Sequence, residues 1–219
     1  GVLNGALKNT GLGYAALNVL TSGDQNVAVG YYSGVALTSG IGNVLIGDQA
    51  GKSLISGHNN VIIGREAGQN ATTTIQKNVI VGYGAGNGVL TTAADGLVAV
   101  GASAGAAITS GVGNTAVGLE ALNQGTTVSS NTAIGYRALK KATGDNNTSI
   151  GYQSSDGITS GYDNTAVGDS ALGALQTGNS NVAIGRNALD ASDNGNRNVA
   201  IGVGANGTQV TTHDCVTIG

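Results

Sequence analysis

The residue types most often used in catalysis and metal binding are scarce in this sequence and stand far apart. The histidines are His58 and His213, and the single cysteine is Cys215. Both histidines fall in turn segments of distant repeats, and neither belongs to a spacing pattern typical of metal ligands. A lone cysteine cannot form an intrachain disulfide. We therefore predict no catalytic residue and no metal site.

One glycine motif has the spacing of a dinucleotide-binding loop. Residues 202–207 read GVGANG and match G-x-G-x-x-G. The motif requires a following helix and an acidic residue about 20 positions further on, and the sequence offers neither. The aspartates also lack the G-G-x-G-x-D pattern of calcium-binding β-rolls. No cofactor is expected.

Composition and charge exclude further classes of partner. Nine Lys and Arg stand against twelve Asp and Glu, without a basic cluster, so we expect no nucleic acid partner. The apolar runs are too short to span a bilayer, and we expect no membrane insertion in this segment. The chain has 39 Gly and no Phe, Trp, Met or Pro. Its core must therefore be thin and regularly stacked.

The elements that hold these residues come from an internal repeat. The anchor N-[TV]-A-[IV]-G recurs along the chain, and nine of the twelve spacings between its closing glycines are 17 residues. These glycines are Gly13, Gly30, Gly47, Gly64, Gly82, Gly101, Gly118, Gly135, Gly151, Gly168, Gly185, Gly202 and Gly219. We predict an all-β fold, a parallel β-solenoid of about 13 coils, roughly 60 Å long at about 4.8 Å per coil. It forms a single repeat domain over residues 1–219, a segment of a longer fibre whose residues 1–8 are a degenerate start.

Within the anchor, the second and fourth positions share one face of the strand. We predict that the fourth position lines the interior, as at Val29, Ile46, Ile63, Val117, Ile134 and Ile184. The third position, usually Ala, then points outward. Because an outward apolar column requires a cover, this arrangement predicts a homo-oligomer, a trimer above all.

The first anchor position forms a column of asparagines. They are Asn26, Asn43, Asn60, Asn78, Asn114, Asn131, Asn147, Asn164, Asn181 and Asn198. A polar binding stripe is one interpretation. We favour a structural role, in which stacked amides satisfy the turn backbone and each other.

Candidate surface contacts fall in two places. Five of the seven tyrosines directly follow an anchor glycine, and the variability of that position indicates solvent exposure. Such rings could stack on sugars or simply cover the coils. The longest repeats add residues near 70–77 and 87–96, where a receptor-binding bulge is expected. The candidates are Tyr31, Tyr32, Tyr136, Tyr152, Thr72, Thr73, Thr74, Thr91 and Thr92.

The units NTAVGLEAL, NTAIGYRAL, NTAVGDSAL and NVAIGRNAL resemble the head repeats of YadA-like trimeric autotransporter adhesins and the related repeats of phage and viral tail fibres. The resemblance covers nearly the whole chain. It implies a left-handed parallel β-roll, three chains intertwined or side by side, and attachment to a host cell or matrix. The repeat is longer than that of the adhesin heads, which favours a tail or surface fibre.

The expected function is therefore a non-enzymatic, extracellular fibre segment on a virion or a bacterial outer surface. Its partners would be its own copies and a host receptor, either a glycan or a matrix protein. Two alternatives remain open. An ice-binding solenoid requires a flat outward threonine ladder, and a hexapeptide-type acyltransferase requires a period of six and a catalytic histidine.

Overall fold

The computed structural model describes residues 7–72, 74–91, 94–191, 194–207 and 213–219. Regular structure in this part of the chain consists of three-residue strands, one in each repeat. The chain divides into two compact units, Gly1–Gly113 and Asn114–Gly219. Whether residues 1–219 act as a single domain stays a prediction.

The first unit contains six strands. They are β1 (Thr10–Leu12), β2 (Val27–Val29), β3 (Val44–Ile46), β4 (Val61–Ile63), β5 (Val79–Val81) and β6 (Val98–Val100). Each strand pairs in parallel with the next strand along the chain. The pairing places equal repeat positions opposite each other, as in Leu45 with Ile62. The unit is a parallel β-solenoid.

The second unit repeats this arrangement with seven strands. They are β7 (Thr115–Val117), β8 (Thr132–Ile134), β9 (Thr148–Ile150), β10 (Thr165–Val167), β11 (Val182–Ile184), β12 (Val199–Ile201) and β13 (Val216–Ile218). Successive strands again pair in parallel and in register. The predicted all-β solenoid, with one strand in each 17-residue repeat, is confirmed in both units.

The glycine that closes each anchor turns the chain where two coils touch. Gly64 has φ +134°, and a Cβ atom there would lie 2.5 Å from the carbonyl oxygen of Gly82 in the next coil. Only glycine fits both the backbone angle and the approach. A β-turn follows, in which the Ala67 N–H donates to the Gly64 carbonyl at 3.2 Å and Glu66 is left-handed, with φ 58°.

The strand faces are opposite to the prediction. Ile62, at the third anchor position, is fully buried, whereas Val61 and Ile63 beside it are only half-buried. In the second unit Ile134 and Ile184 remain 38% and 40% exposed. The predicted interior placement was therefore wrong for Val29, Ile46, Ile63, Val117, Ile134 and Ile184, which lie on the outward face.

The physical reason is volume matching inside the coil. A Cβ atom at Gly68 would lie 3.2 Å from the Cδ1 atom of Ile62, so a large third residue packs against a glycine on the other side. The second unit reverses these sizes, because Ala166 and Leu172 are both fully buried. One large and one small residue fill each of these coils to normal packing density. The third position consequently belongs to the interior of its own chain.

Candidate recognition surface

The asparagine column lies in the interior and leaves little for a ligand to contact. Asn164 is 1% exposed, and its Nδ2 donates to Asn147 Oδ1 at 3.1 Å and to the Gly178 carbonyl at 2.8 Å. Its own Oδ1 accepts from the backbone N–H of Asn181 at 3.0 Å. The same pattern recurs in the first unit, where Asn43 contacts Asn26 and the Gly57 carbonyl. These amides connect successive coils.

The most exposed polar and aromatic residues of each repeat stand directly after the anchor glycine, at the tip of the β-turn. We call these residues the turn-tip column. In the first unit it consists of Tyr14, Tyr31, Asp48, Arg65, Tyr83 and Ala102, and in the second of Leu119, Tyr136, Tyr152, Asp169, Arg186 and Val203. Backbone bonds fix its register, since the Tyr31 carbonyl accepts from Gln49 and the Asp48 carbonyl from Glu66, both at 2.8 Å.

Tyrosine rings stack in the same way in both units. The centroids of Tyr14 and Tyr31 are 5.5 Å apart with an angle of 19° between the rings. Those of Tyr136 and Tyr152 are 5.1 Å apart at 21°. Tyr32 stands one position later in the turn and meets the Tyr31 ring edge-on at 4.4 Å. The rings remain accessible, with Tyr14 at 68%, Tyr31 at 52% and Tyr152 at 54% exposure.

Charged side chains follow each tyrosine pair. In the first unit, Asp48 Oδ2 lies 3.8 Å from Arg65 Nε, and the Arg65 guanidinium lies 5.6 Å from the centre of the Tyr83 ring. In the second unit, Asp169 Oδ1 accepts from the Ser170 hydroxyl at 2.8 Å, and Arg186 is exposed. Exposed pairs of this kind contribute little to stability, so they do not explain their position.

A second charged group in unit Asn114–Gly219 lies beside the column and is internally satisfied. Lys140 Nζ donates to Glu120 Oε2 at 2.7 Å, and Arg137 lies 3.6 Å from Glu120 and 3.7 Å from Asp156. The hydrogen bond from Lys140 is the main cause that lowers the pKa of the Glu120 carboxyl. The group therefore carries balanced charge and connects three successive coils.

The outward strand face consists of the second and fourth anchor positions. In the first unit both columns are aliphatic from Val27 and Val29 to Val98 and Val100. In the second unit the second position is threonine in four successive strands, at Thr115, Thr132, Thr148 and Thr165, each beside a Val or Ile. These residues are half-buried at most, although all are β-branched.

The threonines of the two enlarged repeats do not join the tyrosines. Thr91 is half-buried and donates to the Thr109 carbonyl at 3.0 Å, and Thr74 Oγ1 lies 3.1 Å from Ser56 Oγ. Thr72 is half-buried as well. Thr73 and Thr92 lie outside the described residues. Part of each enlarged repeat packs inward, since Ala71, Ile75, Leu90 and Ala94 are fully buried.

A column of hydrogen-bond acceptors was missed at the sequence level. Two residues before the anchor asparagine, Asp95 Oδ1 accepts from the Gln76 N–H at 2.8 Å and Asp145 Oδ1 from the Ser129 N–H at 2.7 Å. His58 occupies the same place, and its Nδ1 accepts from the Ile41 N–H. The signal that could have revealed this role is their shared repeat position.

Other kinds of site find little support among the described residues. They include no cluster of three or more His, Cys, Asp or Glu side chains able to hold a metal ion. Nor do they include a helix long and apolar enough to cross a membrane. The G-x-G-x-x-G segment follows strand β12 as a turn, in which the Gly207 N–H donates to the Gly204 carbonyl at 3.0 Å.

Comparison of the chain with protein-family models, curated proteins and solved structures returned no significant match.

Proposed function

We propose that this chain is a segment of a non-enzymatic attachment fibre. Copies of the chain would associate as a homotrimer, and the assembly would bind a host cell or another surface from outside the cell, as part of a virion fibre or a bacterial outer surface. The observation that carries the proposal is the outward strand face, which is apolar and β-branched in one coil after another.

The outward strand face supports self-association because it resembles a buried strand on both sides. Strands with apolar residues on both faces are usually covered on both faces. A continuous aliphatic strip on a free surface is unfavourable in water and typical of an interface. A second copy of the chain carries the same strip at the same spacing, so the two match without any further adaptation.

A structural role is also supported by what the histidines do. His58 and His213 each use Nδ1 to accept a backbone N–H from the preceding coil, at 3.2 Å in both cases. An imidazole in this role acts as part of a turn, and neither ring belongs to a described cluster of titratable groups that would suit acyl transfer. We therefore propose no catalytic activity.

The mass of the chain in solution tests the assembly directly. Light scattering coupled to size-exclusion chromatography should give three times the mass of one chain. A folded monomer at every accessible concentration would contradict the proposal. Attachment is tested by binding of the labelled full chain to intact cells, with an unrelated β-solenoid as the control.

One observation favours ice binding as a second candidate. Thr115, Thr132, Thr148 and Thr165 form an outward threonine column on four paired strands. Threonines of the turns are engaged otherwise, since Thr38 Oγ1 donates to the Ile55 carbonyl at 3.1 Å. Thermal hysteresis in a monomeric preparation would favour this candidate over the fibre, because both uses require the same face.

A further inference from the structure

The turn-tip column has the same order of side chains in both units. It reads Tyr14, Tyr31, Asp48 and Arg65 in the first unit, and Tyr136, Tyr152, Asp169 and Arg186 in the second. In each unit these four residues lie in four successive coils, because their carbonyls accept backbone N–H groups from the coil that follows. An aromatic pair, a carboxylate and a guanidinium are thus presented twice in one order.

The repetition is confined to this column. The next residue along the turn is Ala15, Tyr32, Gln49 and Glu66 in the first unit, but Arg137, Gln153, Ser170 and Asn187 in the second. The residue three places beyond that is Asn18, Val35, Lys52 and Gln69, against Lys140, Asp156, Gly173 and Asp190. Folding imposes no such order on exposed turn tips, since the column also accepts Ala102, Leu119 and Val203.

The geometry repeats along with the order. Both tyrosine pairs stack within 0.4 Å of the same separation, 5.5 Å and 5.1 Å, and within 2° of the same angle, 19° and 21°. The carboxylate and the guanidinium follow on the next two coils, at about 4.8 Å per coil. Both units therefore offer the same exposed chemical surface, about 14 Å long over three coil spacings.

We infer that this four-residue column is an oligosaccharide-binding site, present once in each unit. The inference rests on the proposed function and names the chemistry of the receptor. Tyrosine supplies an apolar surface with a polar hydroxyl, which suits the mixed faces of a sugar ring. The carboxylate accepts hydrogen bonds from sugar hydroxyls, and the guanidinium donates to hydroxyl or carboxylate oxygens in a planar fork.

The shape of the site agrees with this ligand class. The column is a ridge of turn tips, and an extended oligosaccharide lying along the coil direction would touch all four side chains. One such contact is weak, but two copies of the site in each chain raise the binding of a multivalent glycan surface by effective concentration. A linear array of weak, identical sites is therefore the form that an attachment fibre requires.

The test uses the full chain on an array of immobilised oligosaccharides. The first variant carries Tyr31→Ser and Arg65→Ser, the second carries Tyr152→Ser and Arg186→Ser, and the third combines all four changes. The control variant carries Tyr162→Ser and Lys141→Ser, which alter an exposed tyrosine and an exposed lysine outside the column. Circular dichroism on heating verifies that each variant is folded.

We expect the wild-type chain to bind a subset of the array, and each paired variant to lose about tenfold in affinity for it. The combined variant should lose binding altogether, and the control should stay within about twofold of the wild type. Arg65→Lys with Arg186→Lys preserves the charge but removes the planar fork, and should give a partial loss.

Three results would overturn the inference: no oligosaccharide bound by the wild-type chain, column variants that bind as the wild type does, or a control that loses as much as they do. The proposed function fails separately. If the chain attaches to cells whose surface glycans have been removed enzymatically, the fibre proposal stands and the glycan site is refuted. If the column binds glycans but the chain is monomeric and does not attach to cells, the fibre proposal fails alone.

Discussion

At the scale of the residue, the asparagine column shows how one side chain serves two coils. Asn181 Nδ2 donates to Asn164 Oδ1 at 3.0 Å and to the Gly195 carbonyl at 2.8 Å, and all of these contacts are buried. A buried amide is stable only when its donors and acceptor are paired. The recurrence of Asn at a 17-residue spacing predicts the stacking. The carbonyl partners in the turns could not be predicted, because they depend on the coil geometry.

Replacing one member of this column should be costly. Asn164→Ala leaves the Asn181 backbone N–H without its acceptor and the Gly178 carbonyl without its donor. Buried groups left unpaired cost about 1–3 kcal/mol each, so the free energy of unfolding should fall by about 2–5 kcal/mol. Urea denaturation followed by circular dichroism measures the change.

The matched control for that experiment is Asn194→Ala, which removes an exposed asparagine from a turn of the same unit. Its effect should remain within about 0.5 kcal/mol of the wild type. Equal losses in the two variants would mean that the buried amides contribute no more than exposed ones.

At the scale of the element, the sequence predicted the strand and its neighbours but not which face is inside. Alternation separates Val61 and Ile63 from Ile62 whatever the fold, and all three are apolar, so hydrophobicity alone does not choose between the faces. The deciding signal was the size of a residue five to six places later. A large third residue such as Ile62 accompanies Gly68, whereas Ala166 accompanies Leu172.

The surface column was predicted only in part, for a related reason. The tyrosines after the anchor glycine could be recognised as exposed from their variability. The ring stacking, and the alignment of Asp48 and Arg65 with them, became visible only with the register of successive coils. The sequence spacing supplies that register to within one residue, but hydrogen-bond partners and ring angles depend on where each turn places its tip.

Volume matching between the third position and its partner can be tested by a double-mutant cycle in one coil. Ala166→Ile alone should overpack the coil and cost about 1–3 kcal/mol. Leu172→Gly alone should leave a cavity and cost about 2–5 kcal/mol. The double variant reproduces the Ile62 and Gly68 pair of the first unit and should be more stable than the sum of the two losses predicts.

Equilibrium unfolding in urea of the four proteins gives the coupling energy. We expect at least about 1 kcal/mol of favourable coupling, the size typical of residues in direct contact. Repeating the cycle with Ala166→Ile and Leu189→Gly, which places the second change in the next coil, serves as the comparison. A coupling energy near zero in the first cycle would contradict the packing explanation for the strand faces.

At the scale of the whole molecule, the reversal of the strand faces changes what self-association requires. The alanines that were expected to meet sister chains are buried within their own coil, and the exposed strip is made of larger residues such as Val27 and Ile46. A larger apolar side chain gains more on burial, at about 25 cal/mol per Å² removed from water. The outward strand face is therefore a better interface than the one the sequence predicted.

If association covers this face, stability must depend on protein concentration. Binding that occurs only in the folded state raises the melting temperature by mass action, so the wild-type chain should melt at a higher temperature as its concentration increases about a hundredfold. Ile63→Lys places a charge on the outward strand face and should abolish this dependence. Ile55→Lys changes an isoleucine that is 47% exposed on a turn of the same unit, and should retain the dependence because it leaves the strip intact. A wild-type melting temperature that does not vary with concentration, at values where the chain is assembled by mass, would show that its copies meet through some other surface.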